Sequence, residues 1–397
     1  MLIVAALVLG VAAGTFWHLY LPGSAPSFAD AVALLPAVFL RLIKMIIAPL
    51  VVATLVVGIG RMGDIAMVGK VGGKSLAWFI FASLISLTLG LVLVQILRPG
   101  AAMHLAIPPG DARSGVGADG LSVAGFIAHT IPTSIIDAMA RNEILQIVVF
   151  AVFFGVGLAS LGERGESVMR LFEAVAQIML KVTGYVMQFA PLAVFGALAS
   201  TVAREGLEIV GVYGIFIAEF YLGIVILWAV LIVLGIVIVG PRILQLVRRL
   251  RAPVLLAFST ASSEAAYPRT LEELERYGIS NRIASFVLPV GYSFNLDGSM
   301  MYCTFAVMFI AQVYGIAISL HEQVLMVAIL MLTSKGIAGV PRASLVVIAA
   351  TLGQFHIPEA GLLLLLGIDH FLDMGRSATN VVGNSIATAV VAKWQGE

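Results

Sequence analysis

The chain of 397 residues is 60% hydrophobic and only 11% charged, with a mean hydropathy of +1.06 and a formal net charge of +1. Soluble domains carry roughly 25% charged residues, so this composition places the chain in a membrane, and the near-zero net charge gives no reason to expect nucleic acid. The single cysteine, Cys303, excludes a framework of internal disulfides.

Residues 2–21 are apolar and follow Met1 with no basic leader and no small-residue cleavage site, which reads as a retained first span rather than a signal peptide. Further windows long enough for the ~20 residues of a spanning helix cover 32–60, 76–97, 123–161, 168–202 and 209–239. Pro191 should kink the fifth. Residues 98–121, rich in Pro and Gly, read as an exposed loop. Arg61, Lys70 and Lys74 follow the second span, and Arg242, Arg248, Arg249 and Arg251 follow the sixth, so both loops are expected on the cytoplasmic side, with both termini.

Past Arg251 the pattern changes. A short apolar arm, 252–258, meets Ser259-Thr260-Ala261-Ser262-Ser263-Glu264 and resumes as an amphipathic stretch toward Gly278, which describes a re-entrant hairpin. It recurs at 324–352, around the tip Thr333-Ser334-Lys335-Gly336-Ile337-Ala338-Gly339. A long helix with buried polar residues follows each, 285–314 and 362–392. Two such units in corresponding positions point to an inverted-repeat transporter with its site at the midplane.

The first of those helices is interrupted by Gly291-Tyr292-Ser293-Phe294-Asn295-Leu296-Asp297-Gly298-Ser299, where Gly298 lets the chain leave helical geometry and frees carbonyls beside an Asp and an Asn. Such a cage suits a hard cation or a proton acceptor. In the second, Asp369, Asp373, Arg376, Asn380 and Asn384 share one helical face. Serine- and glycine-rich hairpin tips offer backbone N–H groups to carboxylates, and Arg376 adds a bidentate partner. Asp373 can hold an ammonium or pair with Arg376. The ligand asked for is small, with two carboxylates and an amine.

These motifs resemble the dicarboxylate/amino acid:cation symporter family, the glutamate transporter family, from first span to last. The resemblance rests on Ser262-Ser263-Glu264-Ala265-Ala266-Tyr267-Pro268, Asn295-Leu296-Asp297-Gly298-Ser299, Ser334-Lys335-Gly336-Ile337-Ala338-Gly339-Val340-Pro341 and the final-helix run from Gly367 through Asp369, Asp373 and Arg376 to Asn380. Arg41-Leu42-Ile43-Lys44-Met45 and Asn142-Glu143-Ile144-Leu145 fit it too. It implies an all-α membrane protein of eight transmembrane helices plus two re-entrant hairpins, a homotrimer of elevator type in the plasma membrane. Residues 1–250 would hold the first six spans, a trimerisation scaffold plus transport-domain helices 3 and 6. Residues 251–397 would form the transport core: hairpin 1 at 251–278, helix 7 at 281–314, hairpin 2 at 321–360 and helix 8 at 361–393. By position, Arg376 would bind the distal carboxylate of a substrate and Asp373 its amine. Ser377, Asn380, Ser262, Ser263 and backbone around Gly339 would complete the pocket. Gly291, Ser293, Asn295, Asp297, Asp369, Asn384, Ser83, Ser334 and Glu264 match cation- or proton-coupling positions, with Asp369 and Asn384 facing the broken helix. No cofactor is implied beyond the coupling ion.

Departures from the sodium-coupled pattern are informative. Asn384 stands where sodium-coupled relatives carry an aspartate, Ala82 where they carry a threonine and Phe79 where they carry an aromatic hydroxyl. Losing a carboxylate and two hydroxyls weakens a hard-cation cage, so a proton is expected over sodium, although sodium at Asn295, Asp297, Asn380 and Asn384 stays open. Glu264 becomes the expected proton carrier, unless it pairs with Arg269 or Arg342. Asp373 favours glutamate or aspartate over C4-dicarboxylates such as succinate. Two further classes remain at this point: an intramembrane aspartyl protease using Asp297 and Asp369, and an uncoupled anion channel. The histidines lack metal-ligand spacing. Trp78, Trp228 and Cys303 read as packing or lipid-facing residues.

Overall fold

The computed structural model describes residues 2–60, 65–102, 130–206, 208–333 and 343–397, and no strand occurs among them. The first three apolar windows form α1 (Leu2–Tyr20), α2 (Ala25–Gly60) and α3 (Ile65–Leu97), with α2 running unbroken through Pro36 and Pro49. Of the expected 98–121 loop, Pro99–Ala102 forms one helical turn, and most of the remainder lies outside the described residues. The expected fourth window is not one helix. It divides into α4 (Ile135–Arg141) and α5 (Ile144–Ser160), because Asn142 takes a left-handed conformation, φ 55°, that an asparagine tolerates better than most residues.

The fifth window is broken near the expected proline: α6 (Glu166–Val186) passes through a single 3-10 turn into α7 (Ala190–Glu205), and Pro191 sits in the first turn of α7. There its missing N–H would have had no helical partner anyway. After α8 (Glu208–Val239) comes the basic α9 (Ile243–Arg249), then the first hairpin, α10 (Arg251–Thr260) and α11 (Tyr267–Tyr277). Arms of ten and eleven residues extend about 15 Å each, half the ~30 Å of a hydrocarbon core. Gly278, at φ 111°, ends the second arm in a conformation that suits a residue without Cβ. The charged face of α11 is self-paired, with Arg269 on Glu272 at 2.6 Å and on Glu273 at 3.2 Å.

α12 (Asn281–Phe294) and α13 (Asp297–Val313) are the two halves of the interrupted helix. α14 (Leu320–Thr333) and α15 (Ala343–Gln354) are the arms of the second hairpin, whose tip, with Ser334 and Gly339, lies outside the described residues. A short turn at Leu363–Leu366 precedes α16 (Asp369–Gln395), so the expected continuous helix from 362 begins in fact at Asp369.

Packing follows sequence chemistry. Open leucines, valines and aromatics cover α1 and one side of α8, as expected of surfaces facing lipid. α1 lies along α7, and α2 along α5, α6 and α7, while α16 is enclosed by α3, α8, α10, α12 and α13. Every residue of α16 from Met374 to Ala392 is buried, the polar ones included. A polar stripe survives such burial only if other helices bring it partners.

Candidate functional site

The break between α12 and α13 is set by Asn295 and Leu296, whose ψ angles of 60° and 67° are not helical. Asn295 still donates its N–H to the Gly291 carbonyl at 2.7 Å, so that carbonyl is already engaged. Gly298 lies inside α13 rather than at the exit from the helix, and its lack of a side chain serves another end. A Cβ there would fall 2.6 Å from the Arg376 carbonyl, so Gly298 lets α13 touch α16 backbone to backbone. Its N–H, one of the helix-start donors without an internal partner, donates to Asn380 Oδ1 at 2.9 Å.

Around this contact two polar nodes form. In the first, Asp297 is fully buried, and its Oδ2 accepts from Asn295 Nδ2 at 3.0 Å while its Oδ1 accepts from Ser86 Oγ at 3.1 Å. Asn295 Nδ2 also reaches Asn384 Oδ1 at 3.2 Å. Two glycines admit these side chains: a Cβ on Gly383 would lie 1.9 Å from Asp297 Oδ2, and one on Gly291 2.3 Å from Asn384 Oδ1. Asn295 Oδ1, Asn384 Nδ2 and Ser293 Oγ are buried without a hydrogen-bond partner, which in a native interior marks a place for water or an ion. Of these, Asn295 Oδ1, Ser293 Oγ and the Asp297 carboxylate carry lone pairs fit for a cation. Ser83 donates to the Phe294 carbonyl at 3.4 Å, from the same face of α3 as Ser86.

The second node is the Arg376 guanidinium, 1% exposed. Its Nη2 meets Asp369 Oδ1 at 3.0 Å and Asp373 Oδ1 at 2.9 Å, and its plane lies over the Tyr302 ring at 4.1 Å. Tyr302 Oη donates to Asp369 Oδ1 at 3.4 Å. Among the described residues Nε and Nη1 have no hydrogen-bond partner, which leaves most of the donor fork available for a planar anion. The Asp373 side chain is 32% exposed, against 2% for Asp369. The first hairpin arm runs along α16, and Phe258 and Ala261 at its end join Phe371 on the fringe of a small apolar cluster that includes Met374.

Asp369 therefore does not share a site with Asn384. At 1.5 Å per residue the two lie about 22 Å apart along α16, and Asp369 braces Arg376 instead. The same spacing parts Asp369 from Asp297, which sits against Gly383, so the two carboxylates do not form the close pair a protease would need. Asn380 holds α13 through Gly298 and donates to Ser299 Oγ at 3.3 Å. Ser377 is buried between the two nodes, and Ser262 Oγ accepts from the Ala265 N–H at 3.2 Å within the hairpin tip. Glu264 is half-buried. Arg269 is held by Glu272 and Glu273 of its own helix; Arg342 lies outside the described residues.

Sequence reasoning passed over Ser86, Tyr302 and Gly383. Ser86 was discoverable, one helical turn from Ser83 and so on the same face. Tyr302 and Gly383 carried no signal, since an aromatic and a glycine in a span read as packing. Trp228 was placed among packing or lipid-facing residues, yet its Nε1 donates to Thr379 Oγ1 at 2.9 Å, while Tyr221 Oη donates to the Phe371 carbonyl at 2.6 Å. Together they bolt α8 to α16.

Comparison with known proteins gives a consistent set of matches. The profile of the sodium:dicarboxylate symporter family fits residues 1–394. A C4-dicarboxylate transport protein of Bacillus subtilis (strain 168) is 38% identical over 401 residues, covering 100% of this chain and 93% of the relative. A proton/glutamate-aspartate symporter of Escherichia coli (strain K12) is 40% identical over 400 residues, covering 98% and 91%. A proton/sodium-glutamate symport protein of Bacillus caldotenax is 38% identical over 398 residues, covering 98% and 93%.

Proposed function

Since the chain belongs to the sodium:dicarboxylate symporter family, a family of transporters rather than enzymes, we propose that it imports glutamate or aspartate, driven by protons rather than sodium. Cation-coupled transport of a dicarboxylate or an acidic amino acid is the common ground of its relatives. The finer reading rests on one observation. Among the described residues Arg376 keeps Nε and Nη1 unpartnered in a buried site, and of the two carboxylates on its Nη2 the more exposed is Asp373. The guanidinium takes the distal carboxylate of the substrate, and Asp373 takes its ammonium. Ser377, with Ser262 and Ser263 at the first hairpin tip, is placed to contact the rest.

Proton over sodium is supported by the Asp297 node, where a single carboxylate is hydrogen-bonded by Ser86 and Asn295 and the facing residue is Asn384. Glu264 carries the coupled proton in this reading. Its own test is Glu264→Gln protein in liposomes, which should lose uptake driven by an imposed pH gradient; full retention overturns the assignment. A sliding of the helices around α16 against those around α2 and α7, in a homotrimer of the plasma membrane with both termini cytoplasmic, is the accompanying mechanical proposal.

The alternative, a C4-dicarboxylate symporter, is favoured by the likeness to the C4-dicarboxylate transport protein of Bacillus subtilis. Uptake of labelled glutamate into liposomes, challenged with excess succinate or malate under separately imposed proton and sodium gradients, decides between them. Weak competition and proton dependence are the expected outcome. Strong succinate competition overturns the substrate, and full uptake on a sodium gradient alone overturns the ion.

A further inference from the structure

One carboxylate in the membrane takes no part in either node. Glu219 lies on α8 inside the apolar span Tyr213–Val239, about 9 Å from its start. One turn before it is Ile215 and one turn after it Leu222, 56% and 47% exposed, so Glu219 edges the lipid-facing side of α8. Its neighbours on the other side, Phe216 and Phe220, are fully buried. Glu219 is half-buried, and its Oε2 is sealed from solvent without a hydrogen-bond partner. The charged and titratable groups on the elements packed against α8 include Tyr302 and Cys303 on α13, Asp373 and Arg376 on α16 and Arg98 after α3, with Tyr213 and Tyr221 on α8 itself. Among the described residues, none of them forms an ion pair or a hydrogen bond with Glu219.

An ionised carboxylate with no partner beside hydrocarbon is unfavourable, and it persists where it exchanges its charge for a proton. Because Tyr221 and Trp228 tie α8 to α16, any cycle that carries the Arg376 site across the membrane also carries Glu219. We propose that Glu219 is a proton-binding site that must be occupied for the α8–α16 unit to move, distinct from the proton coupled to substrate. The inference rests on the symport reading above. The penalty for moving the bare charge is the same with and without substrate, so this proton travels in both directions and gates the rate without entering the stoichiometry.

The test uses the full chain in proteoliposomes, with labelled glutamate or succinate exchange measured from pH 6 to pH 8 and steady-state accumulation under an imposed pH gradient. An obligatory proton slows exchange by about tenfold per pH unit above the titration point of its site. Glu219→Gln and Glu219→Leu, the latter suited to a lipid-facing position, should each shrink the pH 6 to pH 8 rate ratio at least threefold and leave accumulation as in the parent. An unchanged ratio, or reduced accumulation, overturns the proposal. A parent that transports neither substrate defeats the symport reading and this inference with it. Independently of any variant, dicyclohexylcarbodiimide, which attacks protonated carboxyls in apolar surroundings, should label Glu219 of the parent at pH 7; no label there also overturns it.

Discussion

The two polar nodes along α16 are built to opposite specifications. At Arg376 the donors outnumber the acceptors: one guanidinium shares a single nitrogen between Asp369 and Asp373 and leaves its other donors unspent. At Asp297 the contacts outnumber the charges, with one carboxylate held by Ser86 and Asn295 and closed in by Gly383. A surplus of directed donors is what a site needs when its ligand arrives from outside with its own charge. A carboxylate held on both oxygens is what a site needs when it must keep a small ion or a proton in fixed geometry.

Removing the surplus is the most severe way to break that contrast. Arg376→Ala leaves Asp369 buried beside Tyr302 without its cation, which should destabilise the protein by about 3–5 kcal/mol and abolish uptake, measured by thermal unfolding and transport. Arg376→Lys should retain more stability than transport, because an ammonium cannot reproduce a planar fork. At the other node, Gly383→Ala drives a methyl toward Asp297 Oδ2 and should cost about 1–3 kcal/mol in thermal unfolding, whereas Gly184→Ala, in open space, should be neutral or slightly stabilising. Comparable effects of the two glycine changes would remove the claim that Gly383 is a contact surface.

Sharpening comes from Asp373→Asn. If it holds an ammonium through a charged hydrogen bond worth about 1.5–3 kcal/mol, the preference for glutamate over succinate in competition assays should fall by roughly 10- to 150-fold. Succinate handling should change little. The smallest effect belongs to Trp228→Phe, which deletes a single hydrogen bond to Thr379 and should cost about 1 kcal/mol of stability while uptake persists.

Much of this was legible in the residues. The short helical arms on either side of the two expected tips, an interruption within 291–299 and the shared face of Asp369, Asp373, Arg376, Asn380 and Asn384 follow from hydropathy and helical spacing, because membrane burial makes each polar residue conspicuous. The division of that face was not legible. Spacing on a wheel reports direction and ignores rise, and so it placed Asp369 and Asn384 together although about 22 Å of helix separates them. Gly298 was misread for a related reason. A glycine near a break looks like the cause of the break, and only the approach of α16 shows that it serves as a contact. The split at Asn142 was hidden by strong hydropathy on both sides, which masks a single residue in an unusual backbone conformation.

The glycines at 291, 298 and 383 have a consequence for how such a protein can change over time. Gly298 meets the facing helix backbone to backbone, while Gly291 and Gly383 receive the Asn384 and Asp297 side chains, so at all three any added carbon disturbs the contact. The frame is thus conservative, and variation is channelled into side chains that project across it, Ser86 and Asn384 foremost. Exchange of one such side chain can alter the preferred ion while leaving the helices where they are.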